Sequence, residues 1–275
     1  MNLLESILYS LVTAAAEFLP VSTRAHQTIL MNLFGGDSEP YLLQMFIHIA
    51  ALIAVLVNSR EMIIKINQTN QLLSLNARRR KRQPDNKVIC TIRLLKTAAF
   101  PMLLGFVLCI FTHQWGDQLH ILSLMLVING IILFIPAHIP QGNKDARSIS
   151  GLESFLIGIF SGLGAIPGLS RLGMGLSAAL ARGADPQHAL NWNILLAIPA
   201  LIVLISIDLF MLVTNGIPGF HFLMVLQYLF SAIFAYIGAY FSLMFLRFMA
   251  VKMGFSTFAY YCWGAALFAF ILYMI

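Results

Sequence analysis

The feature of this sequence that most restricts its fold is a series of long apolar stretches with almost no charge inside them. Each approaches or exceeds the roughly 20 apolar residues that an α-helix needs to cross a bilayer. The six stretches are about 41–59, 97–114, 119–139, 189–214, 221–247 and 254–275. They lack the short alternating segments of a membrane β-barrel. Only 10% of the residues are charged, against roughly 25% in a soluble domain. We therefore predict an all-α integral membrane protein with about six transmembrane helices, forming a single polytopic domain over residues 1–275.

Two further apolar segments, about 1–34 and 150–183, are each interrupted by a short motif that contains an arginine. The motifs read PVSTR at 20–24 and PGLSR at 167–171, and both fit P-x-x-[ST]-R. Neither half of either segment is long enough to cross a bilayer comfortably, so we predict that each segment is a re-entrant helix pair. An arginine at membrane depth costs several kcal/mol unless it faces a cavity, a partner or a ligand. Arg24 and Arg171 are therefore candidate functional residues.

The distribution of basic residues predicts the topology. Ten of the 17 Lys and Arg residues lie between Arg60 and Lys96, including the run at 78–82. A basic run can bind nucleic acid, but in a membrane protein the positive-inside rule favours a cytoplasmic loop close to anionic lipid headgroups. We therefore place the loop 60–96 in the cytoplasm and expect membrane lipids, and no nucleic acid, as its partners. If both broken segments are re-entrant, every Lys and Arg outside the two motifs then lies on the cytoplasmic side.

This topology makes the two broken segments enter the membrane from opposite faces. Opposite entry with matching motifs is the pattern of inverted-topology repeats, and we predict repeat one at about 1–114 and repeat two at about 150–247. Such folds place their binding site near the bilayer midplane, where the ends of broken helices meet. Irregular backbone at that depth is tolerated only inside protein or around a cavity.

The residues at the two breaks suit an anionic ligand. Backbone N–H groups at the start of a half-helix bind anions, arginine binds phosphate through two hydrogen bonds, and glycine lets the backbone approach closely. The candidate set for a phosphate or diphosphate site is Glu17, Ser22, Thr23, Arg24, His26, Gly168, Ser170 and Arg171.

Each of these residues also has a structural interpretation. His26 could be a packing histidine, Ser22 and Thr23 could cap the second half-helix, and Glu17 could pair with either arginine. His48 follows the first motif in an apolar helix, where it could face the cavity or hydrogen-bond a neighbour. Asp208 is flanked by apolar residues, and nothing in the sequence connects it to the motifs.

The two motifs resemble the signatures of one known family. EFLPVSTRAH at 17–26 resembles E-F-L-P-V-S-S-T-G-H, and PGLSRLG at 167–173 resembles P-G-x-S-R-S-G. Both of these signatures are those of the undecaprenyl-diphosphate phosphatase family, also called bacitracin-resistance proteins. The resemblance covers essentially the whole chain. It implies six spans with two re-entrant pairs in the bacterial inner membrane. It also implies hydrolysis of a C55 polyprenyl diphosphate at the outer side, which recycles the lipid carrier of cell-wall synthesis.

The resemblance also implies roles for individual residues. Glu17 would bind a divalent cation, Mg²⁺ or Ca²⁺, or activate the attacking group. Thr23 stands where the family has a serine proposed as nucleophile, and His26 stands at the catalytic histidine. Ser170 and Arg171 would hold the diphosphate. Apart from the resemblance, Ser22, Arg24, Gly168 and His48 are further substrate-binding candidates. This sequence departs from the family at four places, which are Thr13 for a second glutamate, Arg24-Ala25 for Thr-Gly, Leu172 for serine and Gly175 for threonine.

Because loss of one carboxylate weakens a site for a hard cation, three functions stay open at this point. The first is a phosphatase that acts on a polyprenyl diphosphate. The second is a transporter that moves a polyprenyl phosphate across the bilayer, as the inverted repeats suggest. The third is a relative that binds the lipid headgroup without turnover or transport. The sequence also leaves a homodimer open.

Overall fold

The computed structural model describes residues 1–35, 40–75, 82–216, 222–252 and 255–275. Apart from one isolated backbone bridge between Lys144 and Ala184, the regular structure in these ranges is helical. The α-helices are α1 (Leu3–Phe18), α2 (Thr23–Phe34), α3 (Tyr41–Asn58), α4 (Arg60–Ser74), α5 (Asn86–Thr112), α6 (Leu119–Phe134), α7 (Gly151–Leu163), α8 (Arg171–Ala181), α9 (Pro186–Asn215), α10 (Phe222–Lys252) and α11 (Thr257–Met274). Short 3₁₀ helices follow α5 at His113–Asp117 and α6 at Ile135–His138.

Six of the helices in the described ranges are long and apolar enough to cross a membrane, namely α3, α5, α6, α9, α10 and α11. This confirms the predicted number of spans and the all-α class. The start of α5 differs from the prediction, because the helix begins at Asn86 and not near residue 97. Its first turns carry Arg93 and Lys96, whose long side chains can keep their charges at the membrane surface while their stems cover apolar groups.

The segment 60–96, predicted as a cytoplasmic loop between two spans, is helical over most of its described length, and its cytoplasmic position stays a prediction. Helix α4 occupies Arg60–Ser74, and α5 occupies the segment from Asn86 onward. No proline or glycine interrupts 60–74, and the first proline of the region, Pro84, comes only after α4 has ended. A polar helix at a membrane surface can carry the same basic residues as an irregular loop, so the positive-inside rule does not distinguish the two.

Both motif-bearing segments are helix pairs broken at the motif, as predicted. The helices of the first pair have 16 and 12 residues, and those of the second have 13 and 11. Each is shorter than the roughly 20 residues of a membrane span. The placement of the pairs as re-entrant hairpins in inverted repeats stays a prediction, since it depends on the position of the bilayer.

Serines of the two motifs begin the second helix of each pair in the same way. Ser22 Oγ accepts a hydrogen bond from the Ala25 N–H at 3.4 Å, and Ser170 Oγ accepts one from the Gly173 N–H at 3.1 Å. Such N-caps satisfy backbone donors that a helix start leaves without partners. The matching sequence of the two motifs therefore produces matching local structure.

The helix pairs are held by packing against the long helices. Helix α1 packs on α10, α3 lies against both α9 and α10, α5 packs on α7, and α6 packs on α11. At the α5–α7 crossing, Gly105 and Gly162 approach so closely that a Cβ atom on Gly105 would collide with the Gly162 backbone. Small residues allow this approach of helices in membrane proteins. The packing brings the ends of α1 and α7 and the starts of α2 and α8 together.

Several predictions concern residues outside the described ranges. They are the cytoplasmic position of most of the basic run at 78–82, and the first residue of each of the predicted spans 221–247 and 254–275.

Candidate active site

The two motifs form opposite parts of one cavity of about 220 Å³. Six of the residues predicted for the site line its polar wall, and the rest of its wall is largely apolar. The six are Glu17, Thr23, Arg24, His48, Ser170 and Arg171. The polar lining residues are Glu17, Thr23, Arg24, Gln27, Tyr41, Gln44, His48, Ser170, Arg171 and Asp208. The apolar wall comes mainly from Phe106 on α5 and from Leu204, Ile207 and Met211 on α9.

Glu17 connects the two motifs through its carboxylate. Its Oε1 atom accepts a hydrogen bond from the Arg171 guanidinium at 3.0 Å, and its Oε2 atom accepts one from the Thr23 hydroxyl at 2.9 Å. The side chains of Glu17 and Arg171 are both 9% exposed. A buried ion pair is stable only when its geometry is good and its remaining hydrogen-bonding groups are satisfied. Glu17 therefore pairs with Arg171 and not with Arg24, which resolves an alternative left open by the sequence.

Arg24 lies at the edge of the same cavity. Its guanidinium binds the Asp117 carboxylate at 2.8 Å, and its side chain is 21% exposed. The guanidinium also lies directly over Gly116, where any side chain would collide with it. The two arginines thus have different surroundings, because Arg171 is buried against Glu17 while Arg24 reaches the segment between α5 and α6.

Asn129 on α6 joins the two motifs, and the sequence analysis missed it. Its Oδ1 atom accepts the Ser170 N–H at 2.9 Å, and its Nδ2 atom donates to the Pro20 carbonyl at 3.0 Å. The residue is fully buried. Its signal in the sequence is a lone amide in an otherwise apolar span, which costs free energy unless it finds partners. One side chain therefore fixes the relative position of both helix breaks.

His48 and Asp208 form a second buried pair in the cavity wall. The His48 Nδ1 atom lies 2.6 Å from the Asp208 Oδ2 atom, and both side chains are 7% exposed. Asp208 was not connected to the motifs in the sequence analysis, yet it lines the same cavity as Glu17 and Arg171. Its signal was an acidic residue inside a transmembrane stretch, which marks a functional position by default.

Three of the predicted site residues do not line the cavity. Both ring nitrogens of His26 are engaged, Nδ1 with the Ser22 carbonyl and Nε2 with the Tyr261 hydroxyl, each at 2.7 Å. Ser22 has a φ of 69° and caps α2, so its side chain serves the helix start. Gly168 has a φ of 92°, and a Cβ atom there would collide with Met125. These residues shape the motif turns, and a direct catalytic role for His26 stays a prediction that the geometry does not favour.

Three of the departures from the family signatures lie in packed positions outside the cavity. Leu172 is buried in the core, and Thr13 is buried one helical turn before Glu17. A side chain at Gly175 would collide with Ser161 and Asn193. None of the three lines the cavity. The changes at Leu172 and Gly175 therefore leave the cavity lining as it is. The change at Thr13 removes a second carboxylate near Glu17.

The resemblance implies a divalent cation, and the oxygen ligands near Glu17 indicate which cation could bind there. In the described ranges no group of three or more His, Cys, Asp or Glu side chains could hold an ion. Ca²⁺ takes about six to eight oxygen ligands, whereas Mg²⁺ is often held by one or two carboxylates together with substrate phosphates. Glu17 offers one carboxylate with the Thr23 hydroxyl beside it. These residues fit Mg²⁺ shared with a diphosphate, and they do not fit a Ca²⁺ site made by protein alone.

The fold and the site together define a class, that of multi-pass membrane proteins with two interrupted helix pairs around a buried, phosphate-compatible cavity. The family model that matches the chain is bacitracin resistance protein BacA, over residues 6–268. The protein therefore belongs to the BacA family, as its two motifs indicated.

Relatives of similar length support this assignment. The undecaprenyl-diphosphatase of Methanobrevibacter smithii is 29% identical, with 98% of this chain and 97% of the relative covered. The undecaprenyl-diphosphatase of Treponema denticola is 27% identical, covering 95% and 94%. That of Halothermothrix orenii is 23% identical, covering 99% and 98%. The similarity thus extends across the helix pairs and all of the spans.

Proposed function

We propose that this protein is an undecaprenyl-diphosphate phosphatase, which hydrolyses the lipid diphosphate to the monophosphate and inorganic phosphate. The observation that carries this proposal is the Glu17 carboxylate, which binds the Thr23 hydroxyl and the Arg171 guanidinium in one cavity. A hydroxyl beside a carboxylate is a nucleophile with its base, and an arginine beside them stabilises phosphoryl charge. Membership of the BacA family and the names of the relatives point to the same reaction.

In the proposed reaction, the polar groups of the two motifs that line the cavity have distinct parts. The Thr23 oxygen attacks the terminal phosphorus while Glu17 Oε2, already in contact with that hydroxyl, takes the proton. Arg171 and Arg24 bind the phosphoryl oxygens, on which charge develops in the transition state. Ser170 and the backbone at the start of α8 add hydrogen-bond donors at the same place. Water then hydrolyses the threonine phosphate and releases inorganic phosphate.

A divalent cation is part of this proposal. Glu17 would hold Mg²⁺ together with diphosphate oxygens, and the ion would polarise the phosphoryl group. The substrate's prenyl chain would contact the apolar wall formed by α5 and α9.

We place the protein in the bacterial inner membrane, with the cavity open to the outer side. Two groups of contacts support this orientation. Arg24 binds Asp117 in the segment between α5 and α6, which lies outside if the start of α5 is cytoplasmic, whereas Lys144, Glu153 and Arg182 form ion pairs at the far end of the second helix pair. Product phosphate would then leave on the side where cell-wall polymers are assembled.

The experiment that tests the function is phosphate release from undecaprenyl diphosphate by the purified protein in detergent micelles with Mg²⁺. We expect turnover in the wild type and a loss of at least about 100-fold in Arg171→Ala. Arg147→Ala is the matched control, because Arg147 is an exposed arginine on the predicted cytoplasmic side and should retain activity. Release no higher than in protein-free micelles, across several divalent cations, would contradict the proposal.

A further inference from the structure

The buried pair of His48 on α3 and Asp208 on α9 has no part in the reaction as described so far. Their Nδ1–Oδ2 distance is 2.6 Å. A carboxylate only accepts hydrogen bonds, so Nδ1 carries a hydrogen and the ring is fixed in orientation. Within the described part of the chain, the other ring nitrogen, Nε2, makes no hydrogen bond. The pair therefore leaves one ring nitrogen of His48 available to a ligand in the cavity.

The position of this pair relative to the apolar wall indicates which part of the ligand it meets. Asp208 shares a face of α9 with Leu204, Ile207 and Met211, at the spacing of helical neighbours, and all four line the cavity. A prenyl chain must lie along apolar surface, so the phosphate that bears the chain lies on the α9 side. The terminal phosphate then faces Thr23 and Arg171. His48 is thus beside the phosphate that leaves.

The reaction needs one more group, a proton donor to the leaving oxygen, and His48 can supply it. Glu17 already accepts the hydrogen of Thr23, so the attacking side has its base. The bridging oxygen, which takes up the electron pair when the phosphorus–oxygen bond breaks, has no donor among the groups assigned above. An imidazole held by a carboxylate supplies such a proton in other enzymes that use acid–base catalysis.

We propose that His48 is the general acid that protonates the leaving polyprenyl phosphate, and that Asp208 is its positioning residue. This inference rests on the proposed phosphatase function and goes beyond it. A purely structural pair would need only to satisfy Nδ1 and the carboxylate, and would require neither residue to line the cavity.

Protons and bonds balance over the two steps of the reaction. In the first step the Thr23 oxygen bonds to the terminal phosphorus, and its proton passes to Glu17. The bond from that phosphorus to the bridging oxygen breaks, and the bridging oxygen keeps the electron pair and takes the His48 Nε2 proton. In the second step water attacks the threonine phosphate and gives a proton to His48. The Thr23 oxygen leaves with the electron pair and recovers the proton from Glu17, so the net change is hydrolysis by one water.

The charged surroundings of His48 suit a group that carries a proton in one state and not in the other. Asp208 on α9 and Glu17 on α1 are the charged groups that interact with it. In the part of the chain that the structure describes, α4 and α10, which also pack on α3, contribute none. Asp208 balances the positive charge of the ring before proton transfer, and the ring becomes neutral as the leaving phosphate is protonated.

The test uses the full-length protein in detergent with farnesyl diphosphate as probe, and compares His48→Ala, His48→Gln and Asp208→Asn. We expect kcat of His48→Ala to fall about 100-fold with KM changed less than about threefold, since general acids contribute factors of this size. Added imidazole should restore part of kcat, and the restored rate should fall as the pH is raised from about 6 to about 8, because protonated imidazole is the donor. His48→Gln should stay low, because a carboxamide does not release a proton.

Asp208→Asn shows whether Asp208 orients His48 for catalysis or only packs in the cavity wall. It should lower kcat about tenfold in the wild-type background and have no further effect in His48→Ala, since Asp208 acts through His48. His138→Gln, which changes an exposed histidine elsewhere, should behave as the wild type. Wild-type kcat in either His48 variant, or a loss that imidazole does not restore, would overturn the assignment. If instead the wild type itself released no phosphate from either lipid, the phosphatase function would fail first.

Discussion

At the scale of single residues, the site depends on ionisable groups that satisfy each other in an apolar environment. Glu17 is bound by Arg171 and Thr23, and His48 is bound by Asp208. An unpaired charge at this depth would cost several kcal/mol, so removing one member of either pair would destabilise the fold. A substrate diphosphate can also bind Arg171, because arginine forms bidentate hydrogen bonds with phosphate as well as with carboxylate.

Substitutions at Thr23 test whether its hydroxyl is the nucleophile. Thr23→Ala should lower kcat by at least about 100-fold, because it removes the attacking hydroxyl, whereas Thr23→Ser should retain most activity because the serine hydroxyl can still donate to Glu17. The measurement is phosphate release at saturating farnesyl diphosphate. Thr28→Ala is the matched control, since Thr28 lies on the same helix but hydrogen-bonds the Gly116 carbonyl. Equal activity of Thr23→Ala and the wild type would show that water attacks directly.

Asn129 tests whether the two motifs are held together by one side chain. Asn129→Leu leaves the Ser170 N–H without its acceptor and leaves the Pro20 carbonyl to the weak Cys262 S–H donor at 3.6 Å, and we expect it to lower the free energy of unfolding by about 2–4 kcal/mol. Activity at temperatures where the variant is folded should also fall, since the motif turns lose their register. Asn193→Leu is the comparison, because in the described part of the chain that buried amide hydrogen-bonds within its own helix, to the Ala189 carbonyl. If Asn129→Leu were no less stable than Asn193→Leu, the bridging role would be wrong.

At the scale of helices, the breaks in the two pairs determine where the functional groups lie. The start of α2 carries Thr23 and Arg24, and the start of α8 carries Arg171. Proline before each start and a serine cap at it end one helix and begin the next. The sequence predicted both breaks, because helix-breaking residues and caps act locally.

Gly168 tests how much the second break depends on its turn. Its φ of 92° is one that residues with a Cβ rarely adopt, and a Cβ atom would also collide with Met125. Gly168→Ala should therefore lower the free energy of unfolding by about 1–3 kcal/mol. Gly264→Ala, at a helical glycine with open space around it, should be neutral or slightly stabilising. Thermal unfolding in detergent measures both, and equal melting temperatures would contradict the role of the turn.

The base of the second helix pair makes stability depend on pH. The Lys144 ammonium, together with the Ser150 backbone N–H, lowers the pKa of Glu153 from 4.5 to about 2. Because the folded-state pKa is the lower one, the stabilisation is fully present above about pH 5 and is lost as the pH falls towards 2. The difference in melting temperature between the wild type and Glu153→Gln should therefore be constant near neutral pH and shrink in acid. A difference that did not change between pH 7 and about pH 3 would contradict this assignment.

At the scale of the whole molecule, two helix pairs far apart in sequence build one cavity. The sequence predicted the six spans, the two breaks and the meeting of Glu17, Thr23, Arg24 and Arg171, because hydrophobic length, helix breakers and motif spacing are readable along the chain. It did not predict the partners of Asn129 and Asp208. Asp208 meets His48 across 160 positions, and that contact depends on how α3 and α9 pack side by side. The true start of α5 was also missed, since charged residues in its first turns resemble a loop.

In the proposed mechanism the arginines of both motifs bind a single diphosphate group. A double-mutant cycle tests this claim, in which calorimetry gives the affinity of a non-hydrolysable methylene analogue of farnesyl diphosphate for the wild type, Arg24→Gln, Arg171→Gln and the double variant. We predict that each single change weakens binding at least about tenfold, and that the two effects are coupled by about 0.5–3 kcal/mol, as for residues that share a partner. Independent effects that simply add, or normal binding when either arginine is replaced, would contradict the claim.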